Sequence, residues 1–393
     1  MDAKYRRLDS GDSELLLRMQ REYYLTDSDE WLKWVPPEWG RCLVVNGEVV
    51  AGLILYTYRC HYGSDLVSMV GVGGVGAAPQ HRRKGYVRRL LVEALREMRG
   101  QEVATSTLYP FSYQFYRKFG WELGRLKVHY EFKPSLLGQL SRVPGEARPM
   151  GPESHDPFDA VYRRWCLEHN GLAVRDAASW ARKLGERPGQ VKRRYVWYSP
   201  DSQDPRGYVI FRVEEGKEEW QRHLAVQELV ALDTQAYLGL LRLLGLHESQ
   251  FETVRWTAPV EDPLLCYVAE PRQVEAELWP HFMIRLVHLP KALASRSVPE
   301  GMRGVLVIEC HDEVLPENQG PWEVELGPDG VGVRPSSRPA DISADIGVLS
   351  QVYVGFLTPV QACRLGGMRG EPAALEVLGR WWGPRPPALE EYF

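Results

Sequence analysis

Arg82, Arg83, Lys84 and Arg88 surround Gly85 in the stretch VGVGGVGAAPQHRRKGYVRRLL, residues 70–91, just after a Gly-rich apolar run that breaks at Pro79. A strand ending near Ala77, a loop with free amides and a helix opening at Gly85 together make an anion site. The first turn of a helix leaves N–H groups unpaired and carries roughly half a positive charge, which suits a pyrophosphate. Gly85 has no Cβ, so phosphate oxygens can approach the main chain closely. The basic side chains add charge-assisted contacts. The spacing is neither Gly-x-x-x-x-Gly-Lys-Ser/Thr nor Gly-x-Gly-x-x-Gly running into a helix after the first strand, so nucleoside triphosphate and NAD readings drop. RRKG alone also reads as a solvated basic helix start; the Gly-rich strand before it and the helix after it favour the anion site.

The elements that must hold this junction are legible on either side. Leu15, Leu16 and Met19 follow Ser10 and Asp12 with helical spacing, which predicts a capped helix over 11–24. Asn46-Gly47, between the apolar runs 42–45 and 49–58, predicts a two-residue type I′ hairpin, because both residues accept positive φ. Residues 67–77 read as a strand whose glycines, Gly71 to Gly76, suggest a bulge or a face that another backbone or a ligand approaches. Val87, Leu90, Leu91, Ala94, Leu95 and Met98 form the apolar stripe of an amphipathic helix. A strand over 103–108, a helix over 112–119 ending at Gly120 and a closing strand over 127–132 follow. Pro144, Pro149, Pro152, Gly145 and Gly151 then mark a boundary.

A weaker version of this layout returns in the middle of the chain, with strands over 194–198, 208–213, 225–232 and 253–258 and a helix over 235–244. Its strand-to-helix junction, LVALDTQAYLGLL, has no basic residue, so it reads as scaffold. From about Met283 strands precede helices, which predicts a third, α+β domain.

Composition bounds the rest. At 393 residues the chain exceeds one core and predicts two or three domains. Apolar residues at 44% and charged ones at 25% are those of a globular protein. A net charge of -4 without like-charge blocks argues against a nucleic-acid partner. The six cysteines are widely spaced, with no zinc-ligand pattern, so reduced thiols and no metal are expected. No signal-like N-terminus or apolar run of about 18 residues stands out, so a cytoplasmic protein without a membrane partner is expected.

Arg82-x-x-Gly85 after a Gly/Val-rich strand resembles the acyl-CoA pyrophosphate loop of the GNAT acetyltransferase superfamily, with Val87 where that superfamily often has Gly or Ala. More narrowly, VGAAPQHRRKGYVRRL, FSYQFYRKFGWE and the terminal Phe resemble the enhanced intracellular survival (Eis) family of N-acetyltransferases. The resemblance implies an α+β fold of two tandem GNAT-like domains, each a mixed sheet with flanking helices, and a sterol-carrier-like α+β domain. The expected boundaries are 1–145 for the acetyl-CoA-binding domain, 146–282 for a degenerate copy without the loop, and 283–393. A homo-oligomer, hexameric in that family, is implied as well.

Acetyl-CoA is the implied cosubstrate. Val75, Gly76 and Ala77 are expected to lend strand backbone to the pantetheine, as in strand addition to a sheet edge. Arg82, Arg83, Lys84, Gly85, Tyr86, Val87 and Arg88 are expected to wrap the pyrophosphate, with Phe111 and Ser112 flanking the cofactor. Tyr116 reads by itself as an aromatic packed between Phe115 and Phe119; the resemblance makes it the general acid. A phenol with a pKa near about 10 stays protonated beside a thiol of about 8.5 and can donate to the leaving sulfur. The implied base is the C-terminal carboxylate of Phe393. With a pKa of about 3.5 it is weak, and burial or a relaying water must help.

The acceptor is read from YLTDSDEWLKWVPPEW, where Asp27, Asp29 and Glu30 stand among Trp31, Trp34 and Trp39. Carboxylates beside aromatic faces attract cationic amines, so a small-molecule polyamine or aminoglycoside, or a lysine side chain, is expected. A solvated helix with an apolar underside is the alternative. Two readings of another class remain: a lipid-binding protein of sterol-carrier type, and an acyl-CoA sensor without turnover.

Overall fold

The computed structural model of the chain describes residues 3–25, 32, 35–186, 191–200, 203–218 and 221–393. The first sheet begins with β1 (Ala3–Arg7), followed by helix α1 (Ser13–Tyr24) and the hairpin β2 (Gly40–Val45) and β3 (Glu48–Tyr62). Asn46 and Gly47 take φ of 52° and 82°, the two positive values that the type I′ turn needs. Asp9, rather than Ser10 or Asp12, supplies the side-chain cap before α1, accepting from the Gly11 amide in a short 3₁₀ turn.

β4 (Asp65–Ala77) returns beside β3, and the junction leads into α2 (Tyr86–Gly100). Leu90, Leu91, Ala94, Leu95 and Met98 are all buried on the sheet, each apolar side chain contributing about 1.5–3 kcal/mol if fully withdrawn from water. β5 (Thr105–Leu108) runs parallel to β4, and a short α3 (Tyr113–Arg117) connects it to β6 (Glu122–Leu123). Ser112 caps α3, its Oγ accepting from the Phe115 amide at 3.3 Å.

The chain divides into two compact units, Met1–Gly124 with Phe282–Phe393, and Arg125–His281. In the first, the strand Met283–Leu286 inserts between β5 and β6, with Met283 opposite both Leu108 and Leu123. Leu126–Phe132, expected to close this sheet, pairs instead with Thr253–Pro259 and Glu275–Pro280 of the other unit. Its buried residues Val128, Tyr130 and Phe132 alternate along the strand and face that unit's core. The first unit also holds a second sheet, ordered Gly330–Pro335, Gly320–Gly327, Gly304–His311, Ile342–Asp345, Met368–Gly370, as the strand-then-helix pattern predicts. Its last helix, Pro372–Trp382, releases the tail that ends at Phe393.

The second unit holds a seven-stranded sheet that includes Lys192–Tyr198, Pro205–Glu215, Arg222–Ala231 and Thr253–Pro259, where strands over 194–198, 208–213, 225–232 and 253–258 are expected. Helix Thr234–Gly245 begins at Asp233, whose own carboxylate accepts from the Ala236 amide at 2.8 Å. An acid already occupies that helix start, so a polyanion would meet repulsion there. At the buried Glu228, Arg175 donates two hydrogen bonds of 2.8 Å, the Tyr208 hydroxyl donates one of 2.6 Å, and Lys183 forms an ion pair. The two cations hold its carboxyl well below the usual carboxylate range despite burial. Arg175→Met should therefore destabilise the protein by about 3–5 kcal/mol, because it strips a buried carboxylate of its main partner; the midpoint of urea unfolding reads this.

Candidate active site

β4 is bulged where the glycines cluster. Gly52 pairs with Gly76 and Ile54 with Gly73, so one residue of β3 faces two of β4, and Gly74 takes φ of 58°. On the other edge, β4 pairs with β5 only from Met69↔Thr105 to Val72↔Leu108. Residues 73–77 therefore run on past the end of β5.

A cavity of about 890 Å³ opens along that edge. Val75, Gly76, Ala77, Arg82, Arg83, Gly85, Tyr86, Val87, Arg88 and Phe111 line it together with Tyr116 and Phe393. Lys84 and Ser112 do not; the Ser112 hydroxyl caps α3. Asp27, Asp29, Glu30, Trp31 and Trp34 lie outside the described residues. Sequence reasoning missed Tyr23, Tyr24, His81 and Tyr109 on the wall, whose only sequence signal was aromatic character.

The start of α2 is open and carries no negative charge. Gly85 has φ of 82° with nothing near the position of a Cβ, and Arg83 takes φ of 60°, uncommon for a residue with a side chain. No acidic residue occupies the first turn and no side chain caps it. Arg82 is engaged elsewhere: its Nη2 donates to the Tyr23 carbonyl at 2.9 Å, tying the loop to the end of α1. Arg83 and Arg88 remain exposed on the cavity rim.

Tyr116 is 2% exposed, its ring edge-on to Phe111 and Phe115 at 5.2 Å from each and to Trp121 at 6.1 Å. Burial first, and Tyr24 second, push its phenol well above the usual range.

Phe393 comes from the far end of the chain. Its ring lies against Gly71, where a Cβ would stand 2.6 Å from Cζ, and its carboxyl carbon lies 2.7 Å from the Cβ position of Gly73. Neither position has room for a side chain, so the glycine face expected to admit another backbone admits this one. Tyr56, Tyr58 and Tyr109 surround the ring at 5.4, 5.9 and 5.5 Å between centroids.

Tyr109 fastens the tail. Its hydroxyl donates to the Glu391 carbonyl at 2.8 Å, and its ring stacks on Tyr392 at 4.6 Å. Tyr109→Phe keeps the stack and loses the hydrogen bond, worth about 1 kcal/mol. Carboxypeptidase should then release Phe393 about fivefold faster under native conditions, where cleavage tracks the undocked population.

No helix among the described residues is long and apolar enough to cross a membrane. Residues 4–124 and 171–286 each match a model of the acetyltransferase (GNAT) domain, and residues 289–390 match the sterol carrier protein domain. The N-acetyltransferase Eis of Mycobacterium tuberculosis is 26% identical over 333 residues, covering 79% of this chain and 77% of the relative. An uncharacterized N-acetyltransferase of Streptomyces avermitilis is 24% identical over 355 residues, 82% of each chain. Among solved structures, a GCN5-related N-acetyltransferase from Anabaena variabilis superposes over 100% of both chains with a TM-score of 0.89 at 23% identity. Eis1 from Mycobacterium abscessus does so with a TM-score of 0.79 at 24% identity, again over all of both chains. The chain thus joins two acetyltransferase (GNAT) domains to a sterol carrier protein domain and has Eis N-acetyltransferases among its homologues.

Proposed function

We propose that the cavity transfers an acetyl group from acetyl-CoA to the primary amine of a cationic small molecule, directly and without a covalent enzyme intermediate. The observation that carries the reading is convergence. One cavity is lined by the uncapped start of α2, the overhanging end of β4, the buried Tyr116 and the terminal residue Phe393.

The residues present suit acetyl-CoA, which supplies the acetyl group as a thioester. Amides of Gly85, Tyr86 and Val87, with Arg83 and Arg88, would hold the pyrophosphate; the backbone of Val75 to Ala77 would pair with the pantetheine; Arg82 holds the loop in shape. In the transfer a C–N bond forms and the C–S bond breaks. The Phe393 carboxylate accepts the proton that the amine must lose, and the Tyr116 hydroxyl hydrogen-bonds or protonates the departing sulfur.

A cationic acceptor is favoured by the seat of that carboxylate at Gly73, which a Tyr56 ring carbon also approaches, while Tyr58 and Tyr109 stand around the adjoining Phe393 ring. An ammonium is attracted both to the negative group and to aromatic faces. Asp27, Asp29 and Glu30, near in sequence to α1, extend the proposal as acceptor contacts. The test is release of free thiol from acetyl-CoA across aminoglycosides, polyamines, lysine peptides and neutral hydroxylated analogues. Turnover with the amines alone is expected; thiol release that is the same with and without any amine would sink the reading.

A further inference from the structure

A buried ion pair outside the cavity touches the segment that carries Tyr116. Arg285 stands on the strand Met283–Leu286, opposite Ser106 of β5. Its side chain is 0% exposed and that of its partner Asp312 is 1% exposed. Arg285 Nη2 donates to Asp312 Oδ2 at 2.7 Å and Oδ1 at 2.9 Å, while Nη1 donates to the carbonyl of Phe119, three residues beyond Tyr116.

The turn is shaped around that contact. Gly120 takes φ of 82°, and a Cβ there would overlap Nη1. A second route runs through Trp121: the guanidinium carbon lies 6.0 Å from its ring centroid, and that ring stands edge-on to Tyr116 at 6.1 Å. Asp312 is itself fixed, with Oδ1 accepting from the amides of Val314 and Leu315 at 3.1 and 3.0 Å and Oδ2 from Asn318 Nδ2 at 2.9 Å.

Burying two charges is a poor way to gain stability, since desolvation offsets their attraction and an apolar pair of similar size serves a core as well. What an apolar pair cannot do is donate to Phe119. α3 has 5 residues, too few to hold itself together, and its flanking groups need partners. Ser112 supplies one at the start; Arg285 supplies one just past the end.

We propose that Arg285, held by Asp312, is a positioning residue for Tyr116, setting where its hydroxyl stands in the cavity. The proposal rests on Tyr116 being the proton donor. It ties the chemistry of the cavity to a side chain of the inserted strand Met283–Leu286.

The experiment is a double-mutant cycle on the full chain with acetyl-CoA and an accepted amine. Arg285→Lys keeps the charge and loses the forked geometry. It should lower kcat roughly ten- to hundredfold, the cost of a small misplacement of a reacting group, with KM for acetyl-CoA within about twofold. The alkaline limb of kcat should move to lower pH, because a loosened α3 admits water and relieves the burial that raises the Tyr116 pKa. In a Tyr116→Phe background, Arg285→Lys should cost nothing further.

A full, additive loss in that background overturns the positioning role while leaving Tyr116 in place. Wild-type turnover by Tyr116→Phe alone removes the proton donor and this inference with it. If Arg285→Lys does not fold, Asn318→Ala, one bond further out, runs the same cycle with a smaller loss. Persistence of that loss beside Tyr116→Phe again overturns the role.

Discussion

Tyr116→Phe should lower kcat about 10²–10⁴-fold if Tyr116 is the proton donor proposed above, with acetyl-CoA binding retained because the ring and its packing survive. Burial makes the phenol a weaker acid than usual, which at first looks adverse for a donor. The same burial acts on thiols, however. Within this chain the enclosed Cys166 thiol is pushed up to about 12, chiefly by desolvation. A sulfur leaving within the aromatic cavity is raised in the same sense, so donor and acceptor stay closer than about 10 and 8.5 in water suggest. With the protonated phenol as the proposed active form and its pKa above the usual one, kcat should not fall on the alkaline side until pH exceeds about 10. A variant retaining half of wild-type kcat, or a wild-type profile that falls near pH 8.5, contradicts this role.

A single glycine appended after Phe393 should lower turnover by at least about 10²-fold, comparable to loss of a general base. It replaces the carboxylate beside Gly73 with a neutral amide and moves the charge one residue on, about 3.3–3.6 Å. Phe393 already fills the space over Gly71 and Gly73, so the tail cannot move deeper to bring the new carboxylate back to the same place. KM for acetyl-CoA should change little, since the α2 start is untouched. A semisynthetic chain ending in a Phe393 carboxamide tests charge without length and should be equally slow. Undiminished turnover by the Gly-extended protein would show that the base lies elsewhere.

Much of the site follows from local signals. The Asn46-Gly47 turn, the α2 stripe and the glycine at the anion loop each depend on residues within a turn or two of one another. Steric limits on φ and the 3.6-residue period act at that range. The glycines of β4 announced a close approach without saying by what. The resemblance of QFYRKFG and the terminal Phe to a known family pointed to Tyr116 and Phe393, which composition and spacing alone left as packed aromatics.

Other parts were decided by tertiary structure. Met283–Leu286 is a four-residue strand, too short for its pattern to name a partner sheet. Its insertion beside β5 depends on an open edge more than 160 residues away in sequence. Tyr109 as a clamp on the tail and Arg285 beside Phe119 are contacts of the same kind, a hydrogen bond across a long loop that no periodicity encodes. By itself, then, the sequence determined the hairpin, α2 and the glycine turn that opens it, because those arise from short-range sterics and spacing. Only the folded chain decided that residue 393 ends on Gly71 and Gly73, because nonlocal packing selects one partner among many apolar surfaces of similar composition.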